Sequence, residues 1–233
     1  MKAVILAGGK GTRLKPYTTV IPKPLVPVGE RAIIDILISR LVKCGVDEVT
    51  ICLNHFAEII MAYLGNGSKF GIKINYSLEE EPLGTVAPIS LIPNLPENFL
   101  VMNGDLLTDL DFRELFSVHT AQNALLTVST YHRTTKIDFG VLELDPQDNK
   151  VIGFREKPEY SFNVSMGVYA MNRKVLDYVP RNTPFGYDDL MLSLLSKKIP
   201  VNVFPYSGYW LDIGRPDDYE KANDDLEKLL SIL

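Results

Sequence analysis

The sequence predicts an α/β fold: a mostly parallel mixed sheet flanked by helices, with a strand-rich second lobe. Three observations predict it. Short apolar runs alternate with helical patterns through the first half, as they do in βαβ units. Runs such as residues 2–7 (KAVILA) are apolar without alternation, which suits a strand covered on both faces. Candidate strands then crowd together in the second half with little helix between them.

The elements follow in order. Residues 2–7 form a strand that runs directly into a glycine-rich loop. Ile34, Leu37, Ile38 and Leu41 fall at helical spacing, so residues 32–43 read as an amphipathic helix stopped by Gly45. Residues 48–53 (EVTICL) read as a strand. Residues 56–64 read as a helix ended by the Gly65-Asn66-Gly67 turn. Residues 72–76 and 99–103 read as further strands. Past them, residues 125–131, 140–144, 151–155 and 166–171 read as strands of an added mixed or antiparallel portion, with a turn at 146–149. A final helix begins at Pro216, where proline suits the first turn and Asp217 and Asp218 favour the positive end of the dipole. Its apolar stripe is Ala222, Leu226, Leu229 and Leu230. No repeat or low-complexity linker interrupts the chain. It reads as one domain, 1–233, with a first part over 1–122 and a second over 123–233.

Composition narrows the function. At 233 residues the chain is long enough to bury a core without disulfides or structural metal. Hydrophobic residues make up 46% and charged residues 23%, against intrinsic disorder. The net charge of −5 gives no global field for nucleic acid or anionic membrane. No apolar run is long enough to span a bilayer, and the first residues do not read as a signal peptide. Cys44 and Cys52 alone make neither a disulfide framework nor a zinc site. The expectation is a cytoplasmic protein with both thiols reduced.

The loop from Leu6 to Pro24 reads LAGGKGTRLKPYTTVIPKP. Glycines after a strand let backbone N–H groups approach an anion closely, and such a nest favours phosphate. Lys10, Arg13, Lys15 and Lys23 add positive charge to an otherwise acidic chain. Two familiar phosphate loops are excluded. In a P-loop the lysine is followed by Ser or Thr, whereas Lys10 precedes Gly11. The dinucleotide fingerprint begun at Gly9 needs glycine where Leu14 stands.

Four acidic segments have both a functional and a plain reading. Residues 101–105 read VMNGD, a strand ending in Asn103-Gly104-Asp105. That is where open α/β sheets place ligands, and also an ordinary Gly-Asp turn. Residues 210–214 read WLDIG, where Trp210 beside Asp212 fits core packing plus a cap equally well. Residues 79–85 read EEEPLGT and residues 156–158 read EKP, each also a solvated loop or turn. Asp109 and Asp111 are alternative carboxylates or a helix start before Phe112. His55, His119 and His132 support no Ser-His-Asp constellation.

The residues from Gly9 to Pro24 closely resemble the signature G-x-G-T-R-L-x-P-x-T-x-x-x-P-K-P of sugar-1-phosphate nucleotidyltransferases. The segments ending in Asp105, around Gly84, at 139–141, at 156–158 and around Asp212 extend the resemblance over nearly the whole chain. The resemblance implies a Rossmann-like nucleotide-binding part and a sugar-binding second lobe. It implies a reaction joining an NTP to a sugar 1-phosphate, giving an NDP-sugar and pyrophosphate. It assigns the nucleotide to Leu6, Ala7, Gly8, Gly9, Gly11, Thr12 and Arg13, to Lys23, to Glu79, Pro82, Gly84 and Thr85, and to Asn103 and Gly104. Arg13 would grip the leaving pyrophosphate, Lys23 would bridge the α-phosphate and the sugar phosphate, and Asp105 would complete the catalytic set. Asp105 and Asp212 would hold Mg²⁺.

The segment at 79–85 is similar to the EEPLGTAG stretch of mannose-1-phosphate guanylyltransferases and related enzymes. Glu79 stands where thymidylyltransferases carry a base-reading Gln. A carboxylate accepts from guanine N1–H and N2–H together, whereas the carbonyls of thymine or uracil would face its lone pairs. Leaving a buried acceptor unpaired costs roughly 1–3 kcal/mol. GTP is therefore the expected nucleotide, with dTTP or UTP as the alternative. Val86 and Ala87 depart from the family's Ala-Gly. On the sugar side the resemblance points to Gly140, Glu156, Lys157 and Ser165, the last replacing an Asn common in relatives. The expected partners are thus GTP and a hexose or heptose 1-phosphate, with no nucleic acid or membrane. Homo-oligomerisation and a non-catalytic NDP-sugar-binding role stay open. The resemblance also implies that the chain ends before the C-terminal repeat domain of larger relatives.

Overall fold

A computed structural model describes residues 1–181 and 183–226. In chain order the elements are β1 (Lys2–Leu6), the short hairpin β2 (Pro27–Val28) and β3 (Arg31–Ala32), α1 (Ile33–Lys43), β4 (Glu48–Leu53), α2 (Ala57–Leu64), β5 (Lys73–Leu78), β6 (Asn98–Asn103) and β7 (Leu106–Thr108). They continue with α3 (Phe112–Ala121), β8 (Leu126–Lys136), β9 (Val141–Leu144), β10 (Val151–Arg155), β11 (Glu159–Asn172), α4 (Tyr187–Ser196), β12 (Asn202–Tyr206), β13 (Trp210–Asp212) and α5 (Pro216–Asp224).

A seven-stranded sheet in the order β12-β8-β11-β6-β1-β4-β5 forms the centre. β11 runs antiparallel to both its neighbours, β6 and β8, and the remaining pairs are parallel. Strands from both sides of residue 122 share this one sheet. β1 lies between β4 and β6, so the chain leaves β1 toward one side and later returns on the other. That reversal opens a crevice at the carboxyl ends of the strands.

Both faces of the sheet are covered, which is why KAVIL reads as a continuous apolar run. On one face Ala3, Ile5, Ile51, Leu100 and Met102 pack against Ile34, Leu37 and Leu41 of α1, Ile60 of α2 and Phe112 and Leu115 of α3. On the other, Val4, Phe99, Val101 and Met171 pack against Val86–Ile89, Val175 and Leu190 and Leu194 of α4. A third cluster joins Leu14, Val26 and Val28 to Ile33 and Ile36 of α1, Leu107, Leu211, Ile213 and Ala222. α1 is thus buried on two sides.

The expected elements are found with shifted ends. The second-half strands are longer than their apolar patterns: β8 and β11 run on as a largely exposed ribbon of mixed polarity, Arg133 pairing with Phe162 and Lys136 with Glu159. Gly140 lies just before β9 rather than inside it. Pro216 and the acidic first turn of α5 stand as expected. Leu229 and Leu230 of the expected stripe lie outside the described residues. Asp111 is the N-cap of α3, accepting from Arg113 N at 2.9 Å and Glu114 N at 3.3 Å. Asp109 accepts from Tyr209 N at 2.7 Å and from the Tyr206 hydroxyl. Both are therefore held in structural roles. Among the described residues no helix is long and apolar enough to cross a membrane.

Candidate active site

Parallel pairing brings the motifs to one edge of the sheet. Leu6 at the end of β1 is opposite Cys52 of β4 and Asn103 of β6. The glycine loop and Gly104-Asp105 therefore leave the sheet side by side, tied by Gly104 N to Leu6 O at 2.9 Å. Leu53 is opposite Leu78, so Glu79 emerges beside them. A cleft of about 440 Å³ lies between these strand ends. Every residue assigned to the nucleotide, from Leu6 through Gly104, lines it, together with Asp105.

The loop is held by what flanks its cations. Leu14 is fully buried in the third cluster and Val26 nearly so. Anchoring Leu14 turns Arg13 outward, and Val26 fixes the turn of Lys23–Leu25. Gly11 adopts φ +61°, and a Cβ there would meet Thr18 Cγ2 at 3.1 Å and Lys23 Cβ at 3.2 Å. Thr18 is buried and donates its hydroxyl to Gly11 O at 2.7 Å. The loop, Thr18 and Lys23 thus pack as one unit.

The two carboxylates meet through a short sheet. β13 pairs antiparallel with β7, Asp212 opposite Leu106, and Ile213 N donates to Asp105 O at 3.1 Å. Trp210 sets the register by packing on the core and donating Nε1 to Met166 O at 3.0 Å. Lys23 Nζ forms an ion pair with Asp105 Oδ2. Asp105 Oδ1 is buried without a hydrogen-bond partner. Burial and the Asp105 charge push the Asp212 carboxyl up to about 6, against the pull of Lys23 and Arg13. Two converging carboxylates with an orphaned oxygen fit a divalent cation. Among the described residues no cluster of three His, Cys, Asp or Glu ligands occurs. The pair therefore suits Mg²⁺, which takes one or two carboxylates and fills its octahedron with phosphate oxygens and water.

At the other end of the cleft Glu79, not its neighbours, turns inward. Its Oε2 accepts from Leu83 N at 3.0 Å, and its Oε1 lies 3.1 Å from where a Cβ on Gly8 would stand. Burial raises its pKa, and the Leu83 hydrogen bond opposes that. Glu80 and Glu81, with Leu83, line a separate, larger groove of about 1090 Å³ beside β5, which holds none of the residues assigned to the nucleotide. Gly84 sits at φ +89° against Phe185 O.

The residues assigned to the sugar phosphate are not gathered into the cleft. Gly140 and Glu156 are neighbours on the β9–β10 hairpin, where a Cβ on Gly140 would stand 3.3 Å from Glu156 Oε2. Glu156 and Lys157 are exposed there. Ser165 instead lies on β11, donating to the Tyr169 hydroxyl at 3.3 Å. Tyr169 and Tyr187 stack with centroids 4.3 Å apart and wall a 140 Å³ chamber that shares Leu6, Thr85 and Asn103 with the cleft.

The cleft also contains Pro24 and Gly214, the last residues of two of the motifs, and Cys52, Asn54 and Pro88, which no motif covers. Asn54 was findable one residue past a strand end; its Nδ2 donates to Glu79 O at 2.9 Å. Burial, reinforced by the Glu79 charge, pushes the Cys52 thiol up to about 12, so it stays protonated and unreactive. The histidines lie elsewhere: His119 is buried, 2.8 Å from Thr127 Oγ1.

Residues 2–229 match the family described as Nucleotidyl transferase. The chain is 31% identical to a UTP–glucose-1-phosphate uridylyltransferase of Synechocystis over 95% of its own length and 62% of that relative's. It thus spans under two thirds of that protein. It is 34% identical to the D-glycero-α-D-manno-heptose 1-phosphate guanylyltransferase of Aneurinibacillus thermoaerophilus, covering 97% of this chain and 99% of that one. The crystal structure of HddC from Yersinia pseudotuberculosis complexed with GMP-PN superposes with a TM-score of 0.72 at 28% identity, covering 97% and 99% of the two chains.

Proposed function

Because the chain belongs to the nucleotidyl transferase family, we propose that it transfers a nucleotidyl group from an NTP to a sugar 1-phosphate, releasing pyrophosphate. GTP is the preferred nucleotide and a hexose or heptose 1-phosphate the acceptor. The observation that carries this reading is the single cleft lined by the whole nucleotide set together with Asp105.

The chemistry asks little beyond positioning and charge. A sugar-phosphate oxygen attacks the α-phosphorus in line, and the bond to the bridging oxygen of pyrophosphate breaks. Both reactants are anionic, so their repulsion must be offset first. The glycine loop presents N–H groups to the triphosphate. Arg13 neutralises the charge growing on the leaving pyrophosphate. Lys23 holds the α-phosphate and the incoming phosphate together, leaving its ion pair with Asp105 to do so. Asp105 and Asp212 would hold Mg²⁺, which supplies further neutralisation of phosphate charge. A preorganised donor in such a site is worth about 3–4 kcal/mol.

The base preference rests on Glu79. Its inward placement supports it as the reader, with Oε1 turned to the cleft and Oε2 held by Leu83 N. The second reading is the same transfer with a pyrimidine nucleotide, favoured by the uridylyltransferase relative.

Pyrophosphate release with Mg²⁺, across four NTPs paired with hexose and heptose 1-phosphates, tests both. Release with GTP and one sugar phosphate is expected, and Glu79→Gln is expected to erode the preference for GTP. Release with UTP or dTTP in the wild type would keep the reaction and remove the role given to Glu79. Silence across the plate, with nucleotide-sugar binding retained, would turn the chain into a non-catalytic binder.

A further inference from the structure

Glu79 is held at three points, and one of the three is a side chain. β4 and β5 are parallel, and their last paired residues are Leu53 and Leu78. The ladder goes one step further, since Glu79 N donates to Leu53 O at 2.9 Å. The next rung of a parallel ladder would be a backbone N–H beyond Leu53 donating to Glu79 O. Among the described residues no backbone group makes it. The chain turns off through His55 and Phe56, the latter at φ +58°, to enter α2. Asn54 supplies the missing rung with its side chain, Nδ2 donating to Glu79 O at 2.9 Å. A part-buried carbonyl thereby keeps the donor that the ladder no longer offers.

The third point is the carboxylate. Its Oε2 accepts from Leu83 N at 3.0 Å, which closes residues 79–83 into a turn. Phe185 N donates to Leu83 O at 2.8 Å and ties that turn to the approach to α4. The N–H, the C=O and one carboxylate oxygen of Glu79 are then all engaged. The other oxygen, Oε1, stands over Gly8. A Cβ on Gly8 would lie 3.1 Å from Oε1 and 3.4 Å from both the N and the Cβ of Asn54. Gly8 thus sits between the carboxylate and the residue that holds it, and its missing Cβ leaves Oε1 in place. Glu79, Gly8 and Asn54 all line the cleft. Leu53 and Leu83 hold Glu79 with main-chain atoms, so Asn54 is the one hold that a side chain controls.

We propose that Asn54 is a positioning residue for base selection: by holding the Glu79 carbonyl it sets where Oε1 meets the base. This rests on the role given to Glu79 above. A hydrogen bond weakens steeply as its angle bends, so an acceptor discriminates between bases only while it is aligned. With its carbonyl released, Glu79 turns about its two remaining holds. Oε1 then accepts less well from guanine and opposes a uracil carbonyl less closely. The glycine loop, Arg13 and Lys23 take no hydrogen bond from Asn54, so the phosphate end is unaffected.

Calorimetry of nucleotide binding with Mg²⁺, together with amide exchange of the nucleotide-free protein, tests this without turnover. Asn54→Ala is expected to lower the ratio of GTP to UTP affinity about three- to tenfold, the effect of one hydrogen bond. Its affinity for pyrophosphate should equal that of the wild type. In the free protein its Leu83 amide should exchange several-fold faster, because the turn it closes is loosened. A merely structural defect would weaken GTP, UTP and pyrophosphate alike. That result, an unchanged ratio or an unchanged Leu83 exchange would each overturn the proposal. On a Glu79→Gln background, Asn54→Ala should move the ratio no further. A second drop of the same size would show Asn54 acting independently of Glu79, and would overturn it too. A wild type that prefers UTP counts against Glu79 as a reader of guanine, and Asn54 is then judged by whether its loss flattens that preference. A wild type that binds no nucleotide overturns the transferase reading and this inference together.

Discussion

Asp212 is the residue whose charge is least at ease. It is brought against Asp105 by the β13–β7 pairing, and burial with that neighbour raises its pKa from 3.8 to about 6. The folded protein thus binds this proton more tightly than the unfolded chain does. The stabilisation from that proton is complete below the unfolded pKa of 3.8 and is lost as pH rises through 6. In metal-free buffer, Asp212→Asn should remove this part of the decline. The variant is expected to gain roughly 1–2 kcal/mol over the wild type at neutral pH, after allowing for solvent screening, and nothing near pH 4. Thermal melts from about pH 4 to about pH 8 with EDTA measure it; parallel curves for the two proteins would sink the argument. Lys23, whose ammonium pairs with Asp105 Oδ2, offsets part of this repulsion. Nothing in WLDIG or VMNGD alone announces this contact. It depends on two strands separated by a hundred residues meeting in register.

At the scale of elements, the segment from Gly84 to Ala87 is clamped to the start of α4. Val86 N and Ala87 N both donate to Phe185 O at 3.1 Å, and Thr85 Oγ1 accepts from Tyr187 N at 2.9 Å. Gly84 makes this possible, since φ is +89° and an added Cβ would stand 2.9 Å from Phe185 O. Gly84→Ala is expected to cost about 2 kcal/mol or more, combining backbone strain with displacement of that carbonyl. Because Gly84 and Thr85 also line the cleft, KM for the NTP should rise with the fall in melting temperature. A variant that kept both values would show the clamp to be dispensable. Elements of this kind were only partly legible in the sequence. α1 was, because Ile34, Leu37, Ile38 and Leu41 carry the 3.6 period on a fully buried face. The outer halves of β8 and β11 were not, because their pairing continues after the apolar pattern stops at Tyr131 and before it starts at Met166. The glycine loop's place at the cleft was readable residue by residue, since it follows the end of β1 directly in sequence. Cys52 and Pro88 were not, since they reach the cleft only by sheet pairing and by the clamp.

At the scale of the whole molecule, the cleft is where three separately built pieces come together. β1, β4 and β6 supply its floor from the central sheet and the turn after β5 supplies Glu79, the loop anchored by Leu14 and Val26 supplies its cations, and β13 leads to Gly214 at its edge and sets Asp212 against Asp105. α5 ties the last two, since Gly29 N donates to Asn223 Oδ1 at 3.0 Å and Tyr17 lies against Tyr219 with ring centroids 4.7 Å apart. None of these pieces binds nucleotide in the unfolded chain, so ligand binding must appear as global stability. At a hundredfold excess over Kd a ligand adds about 2.7 kcal/mol. For a chain of 233 residues, each kcal/mol moves Tm by about 2–4 °C. Mg²⁺ with GTP is therefore expected to raise Tm by roughly 5–10 °C. UTP at equal concentration should raise it less, because uracil sets a carbonyl against Glu79. EDTA should cancel most of the GTP shift, and Asp105→Asn should make GTP binding nearly indifferent to EDTA. A GTP shift that EDTA leaves untouched in the wild type would mean that the loop cations hold the triphosphate unaided. Asp105 and Asp212 would then be a structural pair, not metal ligands.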